Sequence, residues 1–448
     1  MGALSLAALN LAAAERPNIV FILADDLGYG DLASYGRPDI RTPRLDRLAR
    51  EGAKLTAHYA NGPECTPTRA ALLTGRYQQW VGGLECAIGT GNVGRYDDAL
   101  RLSNAHELGL PAEEQTLPKL VRKAGYRTGI IGKWHLGFDP KFAPHLQGFD
   151  YTFYCAGGEM DYFHYLDPAA YYNLFQDGNP ISRDGYFTDL VAEEAMDFLE
   201  REKGGPFFLY LPYTVPHAPY QGPGDRLPNP LPLDSRLWKQ SQAPPAVYIA
   251  MIEHLDESVG RVLDKIEALG LADNTVVIFT SDNGGTKSAR NAPFRGIKGG
   301  TFEGGIRVPA MVRWPGVIAP GTVSGQVSAT FDFSASIARL AGASPSPEKP
   351  FEGVDIIDHL AAGKPDFART LFWRKPRGQT LWKGMREGSL KFVSETNGAE
   401  TNEYLFDLAA DPSEKTDLRG DRPGELARLR GLYEEWEEEV RRNRRGKP

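Results

Sequence analysis

Short apolar runs recur along the first 280 residues, and their alternation with helical patterns constrains the fold more than any other feature. The runs span residues 18–23, 128–132, 207–211 and 275–280. Runs of this kind are typical of strands buried on both faces of a parallel sheet. Between them lie helical patterns, at residues 116–124 and 247–269. The alternation predicts the α/β class, with a large, mostly parallel mixed sheet sandwiched by helices.

The sequence changes character after about residue 340. Several prolines indicate irregular chain, short strand-like runs follow, and a helical pattern covers about residues 423–442. We therefore expect three parts. They are a signal peptide or its remnant at 1–14, an α/β domain carrying the candidate catalytic residues at 15–340, and a C-terminal subdomain at 341–448 with a four-stranded antiparallel sheet and a terminal helix.

The N-terminal stretch is a short apolar run that ends in small residues. It is typical of the apolar core and cleavage site of a signal peptide, although it lacks a basic start. The alternative is a disordered or helical apolar tail. The run is too short to span a membrane, and no later stretch is long enough. We expect a periplasmic or secreted protein with no membrane span.

The charge of the chain bears on its partners, and its cysteine content bears on disulfides and metal sites. The net charge is −7, from 51 basic and 58 acidic residues, with no basic stripe along the chain. This argues against nucleic acid as a partner. The chain has three cysteines, of which Cys86 and Cys155 could form one disulfide in an oxidising compartment. Sequence alone leaves that pairing open, and no zinc-type spacing is present.

Cys65 stands at the predicted start of a helix. Thr66 is a suitable N-cap, Pro67 suits the first helical position, and Gly75 can end the helix. A residue at a helix N-terminus lies where unpaired N–H groups favour an anion, and Arg69 adds a cation in the first turn. The alternative is a buried structural cysteine beside a capped helix.

Polar side chains follow two of the predicted strands. Asp25 and Asp26 follow the first strand, and Asp282 and Asn283 follow the strand at residues 275–280. Either pair alone could be an ordinary turn. Because ligands bind at the carboxyl ends of parallel strands, the four residues together predict an all-oxygen site. Such a site suits Ca²⁺, and Mg²⁺ less well.

Cations and histidines follow the other strands. Lys133 and His135 are two residues apart, so on an extended segment they project to the same side. His217 lies between two prolines, which favour a rigid extended loop, and Lys298 lies in a glycine-rich segment. Such residues suit anion binding and proton transfer. The alternatives are a solvated lysine and a packed or surface histidine.

The motifs together resemble those of the type I sulfatases, arylsulfatase A/B-like members of the alkaline phosphatase superfamily. The resemblance lies in Cys65-Thr66-Pro67-Thr68-Arg69, in Gly132-Lys133-Trp134-His135 and in the segments around Asp25, His217, Asp282 and Lys298. They occur in the family's order, and the resemblance covers nearly the whole chain. It departs at Glu64, where the family usually has a small or apolar residue, and at Thr68, where serine is commoner.

The resemblance implies a modified nucleophile and a metal. Cys65 would be oxidised to formylglycine by a formylglycine-generating enzyme, which is expected to recognise Pro67 and Arg69. One divalent cation, usually calcium, would be held by Asp25, Asp26, residue 65, Asp282 and Asn283.

The resemblance also implies a role for each basic residue. The formylglycine hydrate would attack sulfur with Asp282 as the base, and a second hydroxyl would later expel sulfate. The residues implied in binding and proton transfer are Arg69, Lys133 and Lys298 on the sulfate charge, His217 or Lys298 as the acid for the leaving alkoxide, and His135 in sulfate release.

The substrate is expected to be a sulfated sugar or a glycosaminoglycan or polysaccharide fragment, with small aryl sulfates as surrogates. The aromatic-rich segment 157–165 resembles one in arylsulfatase B-type enzymes, so Asp161 and His164 are candidates for substrate binding; ordinary loop packing is the alternative.

Two other functions stay open. One is a phosphonate monoester or phosphodiester hydrolase of the same superfamily, and the other is a non-catalytic binder of sulfated glycans with an unmodified Cys65. Glu303 and Arg307 are expected to form an internal ion pair.

Overall fold

The computed structural model describes residues 16–89 and 96–442. The expected signal peptide at residues 1–14 lies outside this range. The strands, in chain order, are β1 (Asn18–Ala24), β2 (Ala53–Leu55), β3 (His58–Tyr59), β4 (Arg127–Lys133), β5 (Tyr151–Cys155), β6 (Phe175–Gln176), β7 (Asn179–Pro180), β8 (Phe207–Pro212), β9 (Thr275–Ser281), β10 (Ala310–Arg313), β11 (Thr322–Ser324), β12 (Ser328–Ala329), β13 (Thr370–Arg377), β14 (Thr380–Glu387), β15 (Leu390–Asn397) and β16 (Glu400–Asp407).

The helices alternate with the strands in the first three quarters of the chain. They are α1 (Pro43–Glu51), α2 (Cys65–Thr74), α3 (Asp97–Asn104), α4 (Leu117–Lys123), α5 (Phe187–Glu202), α6 (Pro245–Ala268), α7 (Glu303–Ile306), α8 (Thr330–Leu340), α9 (Ile356–Ala361) and α10 (Pro423–Arg442). No helix in the described ranges is long and apolar enough to cross a membrane.

A ten-stranded mixed sheet forms the centre of the molecule, in the order β11-β2-β10-β9-β1-β8-β4-β5-β6-β7. Its five central strands, β9 to β5, run parallel, and β10 pairs antiparallel with β9. The predicted apolar runs all belong to these central strands. Their parallel alignment brings the loops that follow them to one edge of the sheet.

Both faces of the large sheet are covered by helices. Alternate residues of β1 enter different clusters: Val20 and Ile22 pack on the side of α1, α5 and α6, whereas Ile19 and Phe21 pack on the side of α2, α4 and α8. This two-sided burial is why the strands are apolar throughout, and it confirms the predicted α/β sandwich.

The four-stranded antiparallel sheet β13-β14-β15-β16 follows, and α10 packs on it through Leu429, Tyr433 and Trp436. Buried charges join this sheet to the rest of the molecule. Lys391 Nζ lies 2.7 Å from Glu303 Oε1 and 2.8 Å from Glu414 Oε1. The predicted ion pair is confirmed, with Arg307 Nη1 3.1 Å from Glu303 Oε2. The contact of Lys391 fixes β15 against α7, the short helix that begins at Glu303.

Candidate active site

Most of the candidate catalytic side chains lie at the carboxyl ends of the parallel strands. Asp25 and Asp26 follow β1, and Asp282 follows β9, which pairs with β1. Lys133 is the last residue of β4, and His217 lies in the loop after β8. The sheet therefore supplies acids, a cation and an imidazole at one edge.

Helix α2 brings Cys65 to this edge. The prediction that Thr66 caps the helix is wrong, because α2 begins at Cys65 and the extended residue before it is Glu64. Thr66 Oγ1 instead donates to the backbone oxygen of His135 at 3.0 Å, which ties the helix start to the segment after β4. Gly75 ends the helix in the left-handed conformation, as predicted.

The thiol of Cys65 is buried between an acid and a lysine. Its Sγ donates to Asp25 Oδ1 at 3.5 Å and accepts from Lys298 Nζ at 3.5 Å. Burial, followed by the charge of Asp25, raises the pKa of Cys65 well above its ordinary value. Because the thiolate is the nucleophilic form, an unmodified Cys65 is a poor nucleophile here.

Arg69 lies behind these groups and is fully buried. Its Nε and Nη2 donate to Asp282 Oδ2 at 3.1 and 2.7 Å, and its Nη1 donates to the backbone oxygen of Lys133 at 3.0 Å. All three guanidinium nitrogens are thereby used within the protein. Arg69 holds the carboxylate of Asp282 in place and does not line the pocket described below.

Two lysines stand beside the acids. Lys133 Nζ donates to Asp25 Oδ2, and Lys298 Nζ lies 2.7 Å from Asp26 Oδ1. Burial lowers the pKa of Lys298, but the charges of Asp26 and Asp25 outweigh this effect and hold the pKa well above its usual value. The same balance, with Asp25 as the main acid, raises the pKa of Lys133. Both side chains therefore remain cationic around residue 65.

The acidic groups form a donor set that fits a hard divalent cation. Ligand atoms of Asp25, Asp26, Cys65 and His217 all lie within 4.8 Å of one another. Asn283 donates through Nδ2 to Asp26 Oδ1 at 2.7 Å, while its own buried Oδ1 has no hydrogen-bond partner among the described residues. A buried oxygen without a donor beside carboxylates is suited to coordinate a metal.

The two histidines have fixed tautomers. His135 Nε2 bonds to the backbone oxygen of Ile88, and its buried Nδ1 has no partner in the described chain. His217 Nδ1 bonds to the backbone oxygen of Ala218 at 2.6 Å, and its Nε2 lies 3.6 Å from Asp26 Oδ2. Since a carbonyl can only accept, the bonded nitrogen in each ring carries the proton. Burial, then nearby lysines, lowers the pKa of each histidine well below its ordinary value.

A pocket of about 510 Å³ opens above these groups. Its lining includes Cys65, His135, His217, Lys298 and further residues that sequence reasoning did not select: Glu64, Glu159, Asp167, Gln240, Lys375 and Arg377. Burial raises the pKa of Glu159 to about 7. The pocket has the size of a small-ligand site and combines cationic, acidic and imidazole groups.

The structure does not bring the predicted substrate-binding pair to this pocket. Asp161 is buried and accepts backbone N–H groups from Phe163 and His164 at 2.8 and 3.0 Å, and from Leu231 at 2.6 Å. His164 Nδ1 lies 3.4 Å from Asp161 Oδ2. The carboxylate thus organises two loops, and neither residue lines the pocket. Within the aromatic segment, Gly158 and Glu159 line the pocket, whereas Asp161 and His164 pack inside the loop.

Lys375 and Arg377 were missed because they belong to the C-terminal sheet. Their spacing of two on a strand was a usable signal, since both project to the same side of β13. What the sequence lacked was the contact between β13 and the loops of the large sheet. The structure supplies it, with Lys375 Nζ donating to the backbone oxygen of Gly299 at 3.1 Å.

Known proteins resemble this chain in fold and in sequence. A family profile described as Sulfatase matches residues 17–343. N-acetylgalactosamine-6-sulfatase of Mus musculus is 36% identical over 405 residues, covering 84% of this chain and 72% of the relative. Steryl-sulfatase of Rattus norvegicus is 31% identical over 545 residues, covering 95% and 90%. The crystal structure of Ps i-CgsB in complex with k-i-k-neocarrahexaose superposes with a TM-score of 0.80 at 29% identity, covering 94% and 93%.

The matched profile covers most of the chain, and the fold agrees with that of the sulfatase structures it resembles. The chain belongs to the type I sulfatase family. It is a sulfuric ester hydrolase.

Proposed function

We propose that this sulfatase removes sulfate from a sulfated sugar or a polysaccharide fragment, with formylglycine at position 65 and one bound Ca²⁺. The observation that carries the proposal is the position of residue 65. It lies at the pocket, 3.5 Å from both Asp25 and Lys298, with both histidines in the same group of residues.

Position 65 requires modification to act as a nucleophile. As a thiol it is held protonated by its raised pKa. As formylglycine, the residue supplies a hydrated aldehyde with one oxygen for attack on sulfur and a second for release of sulfate. Cys65, Pro67 and Arg69 are all buried in the folded chain, so we expect a formylglycine-generating enzyme to act on them before folding is complete.

The cation would be held by Asp25, Asp26, residue 65, Asp282 and Asn283. When bound, it supplies positive charge that favours the ionised nucleophile and the sulfate oxygens. The oxygen-rich donor set favours Ca²⁺ over softer metals. Arg69 acts here by holding Asp282 through two hydrogen bonds, which orients that carboxylate.

The pocket cations would bind the sulfate group. Lys298 lines the pocket and Lys133 lies against Asp25 beneath it, so two ammonium groups flank residue 65. Preorganised cations in a buried site stabilise charge that develops in the transition state. His135 presents an unprotonated Nδ1 and is the candidate base for sulfate release.

His217 is the candidate acid for the leaving sugar oxygen. Its Nε2 lies 3.6 Å from Asp26, and the ring lines the pocket. Burial and Lys298 disfavour the protonated ring in the free protein, and a bound sulfate anion would favour it. The proton would pass from Nε2 to the departing oxygen while Nδ1 stays bonded to Ala218.

The substrate class rests on the pocket and on the relatives. A pocket of about 510 Å³ accommodates a sugar ring, and its acids suit hydrogen bonds to hydroxyl groups. One relative is named for an N-acetylgalactosamine 6-sulfate and a neighbour was solved with an oligosaccharide. A periplasmic or secreted location would suit a sulfatase that acts on sulfated polymers outside the cytoplasm.

Comparing a sulfate monoester with a phosphodiester tests the proposed reaction. We expect kcat/KM for 4-nitrophenyl sulfate to exceed that for bis(4-nitrophenyl) phosphate by at least about a hundredfold. A sulfate monoester presents three non-bridging oxygens to the lysines and the cation, whereas a phosphodiester presents two and must place a second ester group against buried charges. An equal or reversed preference would favour the phosphonate or phosphodiester hydrolase.

Replacing His217 by alanine tests the proton donor. We expect kcat on a sugar sulfate to fall by about 10²- to 10⁴-fold, because the alkoxide leaving group needs a proton. The loss on 4-nitrophenyl sulfate should be at least about tenfold smaller, since nitrophenolate leaves without help. His164→Ala is the matched control and should lie within about twofold of the wild type on both substrates. Equal losses for His217→Ala on both substrates would instead indicate a metal-ligand role.

A further inference from the structure

The C-terminal sheet places two cations in the wall of the active-site pocket. Lys375 and Arg377 lie two residues apart on β13 and both line the pocket together with Cys65 and Lys298. The reaction described above uses neither of them. The large sheet supplies the groups around residue 65, so these cations come from a separate structural element.

Among the described residues, the two cations share one acidic partner, Glu64. Arg377 Nη1 donates to Glu64 Oε1 at 2.6 Å, and Lys375 Nζ lies 3.5 Å from the same oxygen. Two cations therefore face one anion, and the cluster carries one surplus positive charge at the pocket.

Hydrogen-bond donors remain available in this cluster. Lys375 has three N–H groups, and the structure gives it one normal hydrogen bond, to the backbone oxygen of Gly299 at 3.1 Å. In the part of the chain that the structure describes, Arg377 donates a hydrogen bond only through Nη1, and its Nε and Nη2 have no acceptor. Its side chain is 29% exposed, so the guanidinium edge is accessible. Free donors on a guanidinium suit a carboxylate or sulfate group.

The cluster is close to the reacting position. Glu64 is the chain neighbour of Cys65, and Gly299, which contacts Lys375, is the neighbour of Lys298. Because all of these cations line the same pocket of about 510 Å³ as Cys65, they lie within reach of a sugar ring whose sulfate is at residue 65. The other acids of the lining, Glu159 and Asp167, come from a different segment, the loop after β5.

From this arrangement we infer that Lys375 and Arg377 form a second anion subsite, which selects sugars that carry another sulfate or a carboxylate beside the sulfate that is removed. The inference rests on the proposed function and specifies its substrate class. The alternative is that both cations only neutralise Glu64. That role needs one cation, and it does not account for the second positive charge or for the donors of Arg377 that have no acceptor among the described residues.

The test compares three substrates that share one scissile sulfate: a monosulfated N-acetylhexosamine, the same sugar with a second sulfate, and the same sugar linked to a uronic acid. For the wild type we expect kcat/KM to be about tenfold or more higher for at least one doubly anionic substrate, mainly through a lower KM. The two doubly anionic substrates show whether sulfate or carboxylate is preferred. Equal kcat/KM for all three would overturn the inference without any variant.

The variants ask whether the cluster causes the preference. In Arg377→Gln and Lys375→Gln the ratio of kcat/KM between doubly and singly anionic substrates should fall toward one. Arg428→Gln, an exposed arginine on α10 paired with Glu387, is the matched control and should keep the wild-type ratio. A wild-type ratio retained in both pocket variants would contradict the inference. If the wild type hydrolysed none of the three substrates, the result would instead contradict the proposed function.

Discussion

Cys65→Ala is expected to lose sulfatase turnover by at least about 10⁴-fold, the scale on which enzymes lose activity when the nucleophile is removed. Alanine provides no group that can be oxidised to formylglycine and no oxygen for attack on sulfur. The surrounding lysines, histidines and acids stay in place, so the folded state should persist. Activity on 4-nitrophenyl sulfate and the melting temperature should be measured on the same preparations.

Cys155→Ala is the matched control for this variant. Cys155 is a buried cysteine on β5 that packs in the core on the α5 and α6 side of the sheet. Its replacement removes a buried sulfur without touching the pocket lining. We expect some loss of stability and retained turnover per folded molecule. A Cys65→Ala protein with wild-type turnover would contradict the mechanism, whatever its stability.

Removing the divalent cation is expected to have the second-largest effect. After treatment with a chelator, turnover should fall by at least about a hundredfold, and added Ca²⁺ should restore it more effectively than Mg²⁺. A cation that binds only the folded state also stabilises it, by about 2.7 kcal/mol at a hundred times its Kd. Calcium should therefore raise the melting temperature of the chelator-treated protein.

Asp26→Asn locates this effect. Asp26 is buried, accepts from Asn283 at 2.7 Å and lies within the cluster of donor atoms. Its loss should abolish the calcium-dependent rise in melting temperature together with turnover. Asp39→Asn, whose side chain is 58% exposed, is the control and should keep both. If neither chelator nor calcium changed the turnover or the melting temperature of the wild type, the result would contradict a metal site at these residues.

The sequence predicts best those strands of the fold that are buried on both faces along their whole length. The run at residues 18–23 is apolar throughout because β1 is covered on both faces, and the same holds for the predicted runs in β8 and β9. Motifs that follow such strands are brought together by the parallel alignment of the sheet. This is why Asp25 and Asp282 could be expected to meet although they are far apart in sequence.

The sequence could not show which long-range contacts its loops would make. Asp161 was expected at the substrate, yet its oxygens are taken by backbone N–H groups of its own turn and of Leu231. Arg69 was expected on the sulfate, and the structure uses its guanidinium on Asp282. Such contacts depend on where distant loops pack, and local patterns do not encode that.

The cysteines show the same limit. Pairing of Cys86 with Cys155 was left open, and all three cysteines are free in the structure. Cys86 Sγ donates to the backbone oxygen of Pro376, whereas Cys155 lies in a different apolar cluster from Cys86. Spacing in the sequence carries no information on such separation.

Mass spectrometry of the peptide that carries residue 65 tests the central claim most directly. The protein should be produced together with a formylglycine-generating enzyme, and a known sulfatase should be treated in parallel. We predict an aldehyde or its hydrate at position 65. An unmodified thiol there, with the known sulfatase fully converted, would contradict the account and favour a glycan-binding protein with an intact Cys65.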